Sequence, residues 1–501
     1  MFTKLTTLLL CILASSNVFA KKDEVSLAWE ASPRTLDPRF ANDANSQYLT
    51  ELTNCSLINF DRSGNQIGNL ASSWKWTGPK TLLVTIKDTA KFSDGSPVTN
   101  EDVVATYSFL TKPNTSPLAG AFRKLISVKA IAKNQVQFEL NEADSSFVDN
   151  LFIGILPKEL ASRPMLSDIK QIKGCGPFVI SNAGVNDFTL VRNEKYSLGA
   201  LAKTLKIVIK IIKDDTTRFS KLLKGELDLV QNGIGRDQLK SIPNSYPNLA
   251  MDAHEGLNVT YLGFNFRDPI LAKKEVRQAI SLAINRDEII KFLLQGMAEP
   301  ANNFLSSDNP FHTKLSKMSF DLAQANALLD KAGFVRKGPE NIRFHLQLKT
   351  TADVNFVNIA QTLRGQLYKL GIKVEMQALE WGKFKSDVDK GAVQIWLAKW
   401  IGYKDPDIYR YVFASESFPP HGGNRGWYSN PQLDKILEDA RRIHEIEKRK
   451  PLYVEVQKIV EQDVPYAFLW HEKNYVVYSK SLKGFELYAD GRYSSLVNVT
   501  N

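Results

Sequence analysis

The chain has 501 residues, 43% of them hydrophobic and 10% aromatic, and carries 64 Lys and Arg against 54 Asp and Glu, a formal charge of +10. Single cores stop growing at roughly 250 to 300 residues, so two or three lobes are expected. The basic residues are interspersed with acids. Short patches such as Arg441-Arg442 and Lys448-Arg449-Lys450 do not make the continuous basic stripe of a nucleic-acid binder.

At the start, Lys4 precedes an apolar run from Leu5 to Leu13, and the segment ends in Val18-Phe19-Ala20. This pattern predicts a secretion signal cleaved after Ala20, since the run is shorter than the ~20 apolar residues that span a bilayer. A lipoprotein signal at Cys11 is the alternative; it lacks small residues before the thiol. The mature chain is therefore expected in the periplasm, where disulfides persist. Two cysteines remain there, Cys55 and Cys175, and either a bridge or two separate buried thiols fits the sequence. With two cysteines and six scattered histidines, no zinc-type cluster is present and no cofactor is expected.

The first third reads as strand-rich, with runs at 80–87, 135–140 and 188–192 separated by turn signals at Arg62-Ser63-Gly64 and Asp94-Gly95. Within it, Thr99 followed by Asp102 predicts a capped helix carrying Val103, Val104, Tyr107 and Leu110. A βα unit follows: a strand over 205–212, a cap at Asp214-Asp215, a helix to Gly225, then a strand at Asp228-Leu229-Val230. From Tyr261 longer helices are expected over 275–292, 321–331 and 354–370, alternating with strands at 344–348, 373–379 and 393–398. The end carries a helix opened by Asn430-Pro431, another from Pro451 to about Gln462, and a strand over 467–478. No repeat or Pro-rich linker separates these parts, which points to interleaved lobes.

Catalytic signatures are missing. There is no GxSxG elbow, His471-Glu472 lacks the second histidine of a zinc helix, and His421-Gly422-Gly423 has no nucleophile to serve, so the chain is read as a non-enzyme.

A series of ordered motifs resembles solute-binding protein family 5, the oligopeptide- and dipeptide-binding components of ATP-driven importers. It comprises PRTLDP at 33–38, NLASSW at 69–74, KFSDGSPVTNEDVV at 91–104, and GCGPF at 174–178, where Cys175 replaces the family's usual Thr. RNEKY at 192–196, YLGFN at 261–265, EVRQAISLAINR at 275–286, the stretch from Asp321 to Gly333, Glu380-Trp381, WIGYKDPD at 400–407 and Val464-Pro465 complete it. The resemblance spans nearly the whole mature chain. It implies an α/β fold of the periplasmic binding protein type (type II, cluster C), two hinged lobes with an extra N-terminal subdomain. The boundaries expected are 1–20 for the signal, 21–45, 165–262 and 475–501 for lobe I, 46–164 for the extra subdomain and 263–474 for lobe II, with crossover strands near 261–266 and 469–478. It also implies a monomer that captures a peptide or peptide-like solute and hands it to an inner-membrane ABC permease and its ATPase. A sensor or periplasmic chaperone on the same fold is the alternative.

In the family two tryptophans line the cavity, and their motifs fall on Trp381 and Trp400. After the second, an aspartate that pairs with the peptide's amino group stands four residues before the proline of the DP pair; here that position is Gly402, or is deleted if Trp400 is held in register, and either alignment removes the anchor. Asp405 or Asp407 is the expected substitute, or else the ligand has no free α-amino group. Tyr403 and Lys404 share the loop, with Lys404 either favouring an acidic or blocked ligand or forming a solvated rim pair with Asp405. Asn45, Asn424 and Arg425 are further candidates facing the cleft, Arg425 suiting a ligand carboxylate.

Overall fold

The computed structural model describes residues 23–501 except 63, 169–170 and 316–318. The signal segment, Cys11 and Ser63 of the first turn signal lie outside the described residues.

The largest element is a mixed sheet. Its strands run, from one edge to the other, Ile372–Leu379, Phe344–Thr351, Ile395–Trp400, Leu249–Phe264, Tyr466–Ser479, Leu229–Gln231, Glu24–Trp29, Lys206–Ile211, Asp187–Arg192 and Phe178–Ala183. The two longest, Leu249–Phe264 and Tyr466–Ser479, pair antiparallel, and their register breaks between Glu255 and Val259. On one side of the break Tyr466–Ser479 pairs with Leu229–Gln231 and the first lobe; on the other Leu249–Phe264 pairs with Ile395–Trp400 and the second. The chain therefore crosses between lobes on a pair of neighbouring strands, and the change of register sits slightly upstream of the crossover expected near 261–266.

Each lobe buries its own core. Val25, Leu27, Phe178, Ile207 and Val476 anchor the first, while Leu262, Ile280, Leu348, Leu363 and Ile395 pack on one face of the sheet in the second, and Tyr261, Trp396, Tyr409 and Tyr466 on the other. A separate four-stranded antiparallel sheet, Ala71–Gly78, Thr81–Ile86, Gln135–Leu140 and Leu125–Ala132, packs against the helix Asn100–Leu110 around Val84, Tyr107 and Phe138. That helix starts as the sequence indicates: Thr99 N–H donates to the Asp102 carboxylate at 2.7 Å. The subdomain is tied back by the Cys55–Cys175 disulfide, whose Cα atoms are 5.1 Å apart. Flanking glycines explain the tightness of this join. A Cβ on Gly174 would sit 1.8 Å from the Thr53 carbonyl oxygen, and one on Gly176 2.5 Å from the Thr53 carbonyl carbon.

Two helices differ from the sequence reading. The single helix expected over 275–292 is split into Lys274–Leu282 and Arg286–Phe292, because Asn285 accepts from Glu288 N–H and starts a new helix there. The helix expected from Pro451 begins earlier, at Ile446, and Pro451 lies inside its first turns. Proline favours the first helical position, where its missing N–H has no intrahelical partner, but here it is the sixth residue of the helix.

Candidate ligand-binding cleft

Where the crossing strands meet, the two lobes and the subdomain enclose a cavity of about 620 Å³. A depression of similar size, about 640 Å³, lies on the outer face of the second lobe around Asn265, His345 and Gln394, away from the lobe junction and bounded by that lobe alone. The cavity at the junction has walls from both lobes. That distinction decides which of the two can respond to their relative position.

The first wall is the helix Ala44–Thr53, whose start is fixed by Asp43 accepting from Ser46 N–H at 3.0 Å. This cap aims Gln47, Tyr48 and Glu51 inward. The subdomain adds Phe60, and the short 3₁₀ turn Phe147–Phe152 brings Asp149 and Phe152 to the same space. The C-terminal segment supplies Asp490 and Arg492. Opposite them stands the loop after strand Ile395–Trp400, with Gly402, Tyr403, Lys404, Asp405 and Asp407, backed by Tyr411.

Charge pairs join these walls. Lys404 Nζ lies 2.6 Å from Asp490 Oδ2 and 3.7 Å above the Phe60 ring, so the second lobe reaches the first and its subdomain through one side chain. Arg492 grips Asp490 with Nε at 2.7 Å and Glu51 at 3.3 Å. Arg449, from the helix Ile446–Asp463, holds both Asp405 oxygens at 3.1 and 3.0 Å. Lys404 and Asp405 thus each have a different partner, not one another. Against the opposing effect of burial, Arg492 and Lys404 hold the Asp490 carboxyl well below the usual carboxylate range, while burial and Arg492 lower the Lys404 ammonium.

Two acids are treated differently. Asp149 accepts one hydrogen bond, from Gln66 Nε2 at 2.6 Å, and its burial together with the Asp405 charge opposite pushes its carboxyl up to about 7. Asp407 gives its backbone N–H to Asp405 Oδ1 at 2.8 Å, but its own Oδ1 is buried without a partner. Burial, then Asp405 and Asp144, push Asp407 up to about 6.

Of the residues singled out from sequence, the cavity is lined by Gly402, Tyr403, Lys404, Asp405 and Asp407. Trp400 lies one layer behind. It stacks on Tyr261 at 6.2 Å, meets Tyr403 edge-on at 5.7 Å and carries the Arg425 guanidinium 5.0 Å from its ring. Trp381 starts the surface helix Trp381–Asp389, is 61% exposed and rests on Phe384 outside the cavity. Asn45 Nδ2 donates to the Ala31 carbonyl at 2.7 Å, and Arg425 pairs with Asp389 at 2.6 Å. Asn424 is buried, and its amide donates to Phe413, Ala414 and Tyr428 carbonyls, which fixes a turn. The cavity residues that sequence reasoning missed, Glu51, Asp149, Asp490 and Arg492, come from distant parts of the chain. Among the described residues no group of three or more His, Cys, Asp or Glu is arranged to hold a metal ion, and no helix is long and apolar enough to cross a membrane.

Comparison with known proteins accords with this architecture. A probable D,D-dipeptide-binding periplasmic protein of Escherichia coli is 27% identical over 500 residues, covering 96% of this chain and 95% of its own. A glutathione-binding protein of Pectobacterium atrosepticum is 28% identical over 498 residues, covering 96% and 95%. The structure of HbpA2 from Haemophilus parasuis superposes with a TM-score of 0.84 at 23% identity, covering 94% of this chain and 98% of that one, a likeness of fold. Residues 65–418 match the family described as bacterial extracellular solute-binding proteins, family 5 Middle. With two lobes, a cavity where they meet and a family match over most of its length, the chain belongs to the bacterial extracellular solute-binding proteins of family 5.

Proposed function

We propose that this protein is the periplasmic capture component of an ABC importer, and that it binds a peptide or peptide-like solute in the cavity between its lobes. The observation that carries the reading is the ion pair from Lys404 to Asp490, which joins opposite walls of that cavity, so that moving the lobes apart opens it. A ligand touching both walls binds the closed arrangement better than an open one and shifts the population by the difference. No covalent step is involved. The register break between Glu255 and Val259 is the pivot we assign, because ladder hydrogen bonding is interrupted there. Tyr403 and Tyr411 offer aromatic surface beside a polar floor, suited to a solute with mixed character. The curated relatives named for dipeptide and glutathione binding favour a peptide-like occupant.

The test is small-angle scattering and thermal melting of the mature protein with a panel of di- to pentapeptides. Compaction and a raised melting temperature with at least one peptide are expected; no response to any peptide removes the peptide reading. Delivery to a permease is checked by uptake of the binding peptide in cells with and without this gene. Size-exclusion chromatography with light scattering is expected to give a monomer, and N-terminal sequencing of the periplasmic protein is expected to begin at Lys21.

A further inference from the structure

The charged groups around the cavity do not balance. Five carboxylates, Glu51, Asp149, Asp405, Asp407 and Asp490, line it with two cations, Lys404 and Arg492. Both cations are committed to wall carboxylates: Lys404 to Asp490 at 2.6 Å, Arg492 to Asp490 and to Glu51 at 3.3 Å. Arg449 reaches in from behind and is taken up by both oxygens of Asp405. Asp149 and Asp407 are left. Neither makes an ion pair among the described residues; Asp149 receives a single neutral amide donor, and Asp407 Oδ1 is buried with no partner at all.

The placement of these two acids is as informative as their number. Asp149 belongs to the subdomain wall and Asp407 to the opposing loop of the second lobe, where Asp405 adds its charge toward Asp149. Like charges on facing walls resist closure, and a buried carboxylate without a counter-charge is costly. A cation entering between the walls removes both penalties. A carboxylate entering the same space meets no free cation and can gain one only by breaking a pair that already joins the lobes.

We propose that the cavity selects a ligand with an ammonium or guanidinium group held at Asp149, with Asp407 as the second unpaired acid, and with no carboxylate inside the cavity. The ligand class is a cationic or C-terminally blocked peptide, or a peptide-like amine. This rests on the cleft being the ligand site, as proposed above. It reverses the expectation that Lys404 favours an acidic ligand, because that ammonium is neutralised by Asp490.

Titration calorimetry on the mature protein, freed of co-purifying solute by unfolding and refolding, tests the assignment with two scaffolds. The peptide set is alanyl-phenylalaninamide, alanyl-phenylalanine and N-acetyl-alanyl-phenylalanine; the second set is 1,6-diaminohexane and adipate. The amide is expected to bind at least tenfold tighter than the zwitterion, and the acetylated acid to show no binding. Asp149→Asn is expected to weaken the amide at least tenfold without lowering the melting temperature, and Asp407→Asn to weaken it as well. Equal or tighter binding of the acetylated acid or adipate overturns the proposal, as does unchanged amide affinity in both variants. If the diamine binds with loss in Asp149→Asn while no peptide does, the charge assignment stands and the peptide reading falls; if no member of either set binds, both fall.

Discussion

At the level of single residues, Asp149 ties ligand affinity to pH. The charged and polar groups that act on it are Gln66 from its own side and Asp405, Lys404 and Arg449 from the opposite lobe. With its carboxyl raised to about 7, the folded protein binds a proton there that the unfolded chain, titrating in the ordinary range near 4, does not. Stability from this group therefore falls as pH rises from about 4 to about 7, and the cost of the buried charge is fully present above that window. In the unliganded protein Asp149→Asn is expected to raise the melting temperature by roughly 1–3 °C at pH 8 and to have little effect at pH 4, as read by differential scanning fluorimetry. Affinity for a cationic ligand is expected to move the other way, rising between pH 6 and pH 8 as Asp149 ionises.

Gly402 is the second residue with a prediction of its own. It lines the cavity at φ +72°, and a Cβ built on it has no atom within 4 Å. Gly402→Asp therefore fits sterically, restores a carboxylate where the family pattern has one, and costs roughly 1–2 kcal/mol of left-handed backbone strain. A slightly lower melting temperature with tighter binding of an amine-bearing peptide is the expected outcome by fluorimetry and calorimetry. Residues of this kind were only partly legible in the sequence. Tyr403, Lys404 and Asp405 share one loop with a recognisable motif, so they were found together; Glu51, Asp149, Asp490 and Arg492 meet only through the fold, and no local spacing marks them.

At the level of elements, the strands and caps were readable because their causes are local. Thr99 with Asp102, and Asp214 accepting from Thr217 N–H at 2.6 Å, start helices where their side chains dictate. The split at Asn285 was missed because the apolar stripe runs through Val276, Ile280 and Ile284 and hides a cap within it. The disulfide shows the same limit from the other side: its two cysteines are 120 residues apart, and proximity came from the packing of the Gly174 and Gly176 loop on Thr53. A crosslink closing so long a loop restricts the unfolded chain strongly. Replacing both cysteines by serine is expected to cost about 4 kcal/mol, measured as a lower midpoint in urea without a change in ligand specificity.

For the molecule as a whole, contacts outside the cavity also hold the lobes together. Arg441 pairs with Glu142 at 3.3 Å, Ser145 N–H donates to the Arg441 carbonyl at 3.1 Å, and His444 stacks on Trp76 with ring centres 3.9 Å apart. These join the subdomain to the second lobe. Because the ion pair is partly exposed, its contribution is about 1 kcal/mol or less. Arg441→Ala is thus expected to raise the ligand Kd by about twofold to fivefold while leaving the ranking of ligands intact, with scattering of the unliganded variant shifted to a larger radius of gyration.

The pairing of Leu249–Phe264 with Tyr466–Ser479 has a consequence for how this protein can be divided. One strand carries the polypeptide out of the first lobe and its neighbour carries it home, so the first lobe is assembled from two separate stretches of gene with the second lobe inserted between them. A fragment ending in the first crossing would present a raw hydrogen-bonding edge where the returning strand belongs, and such an edge invites association with other chains. The halves are therefore expected to fold when co-expressed as complementary pieces and to aggregate when made alone.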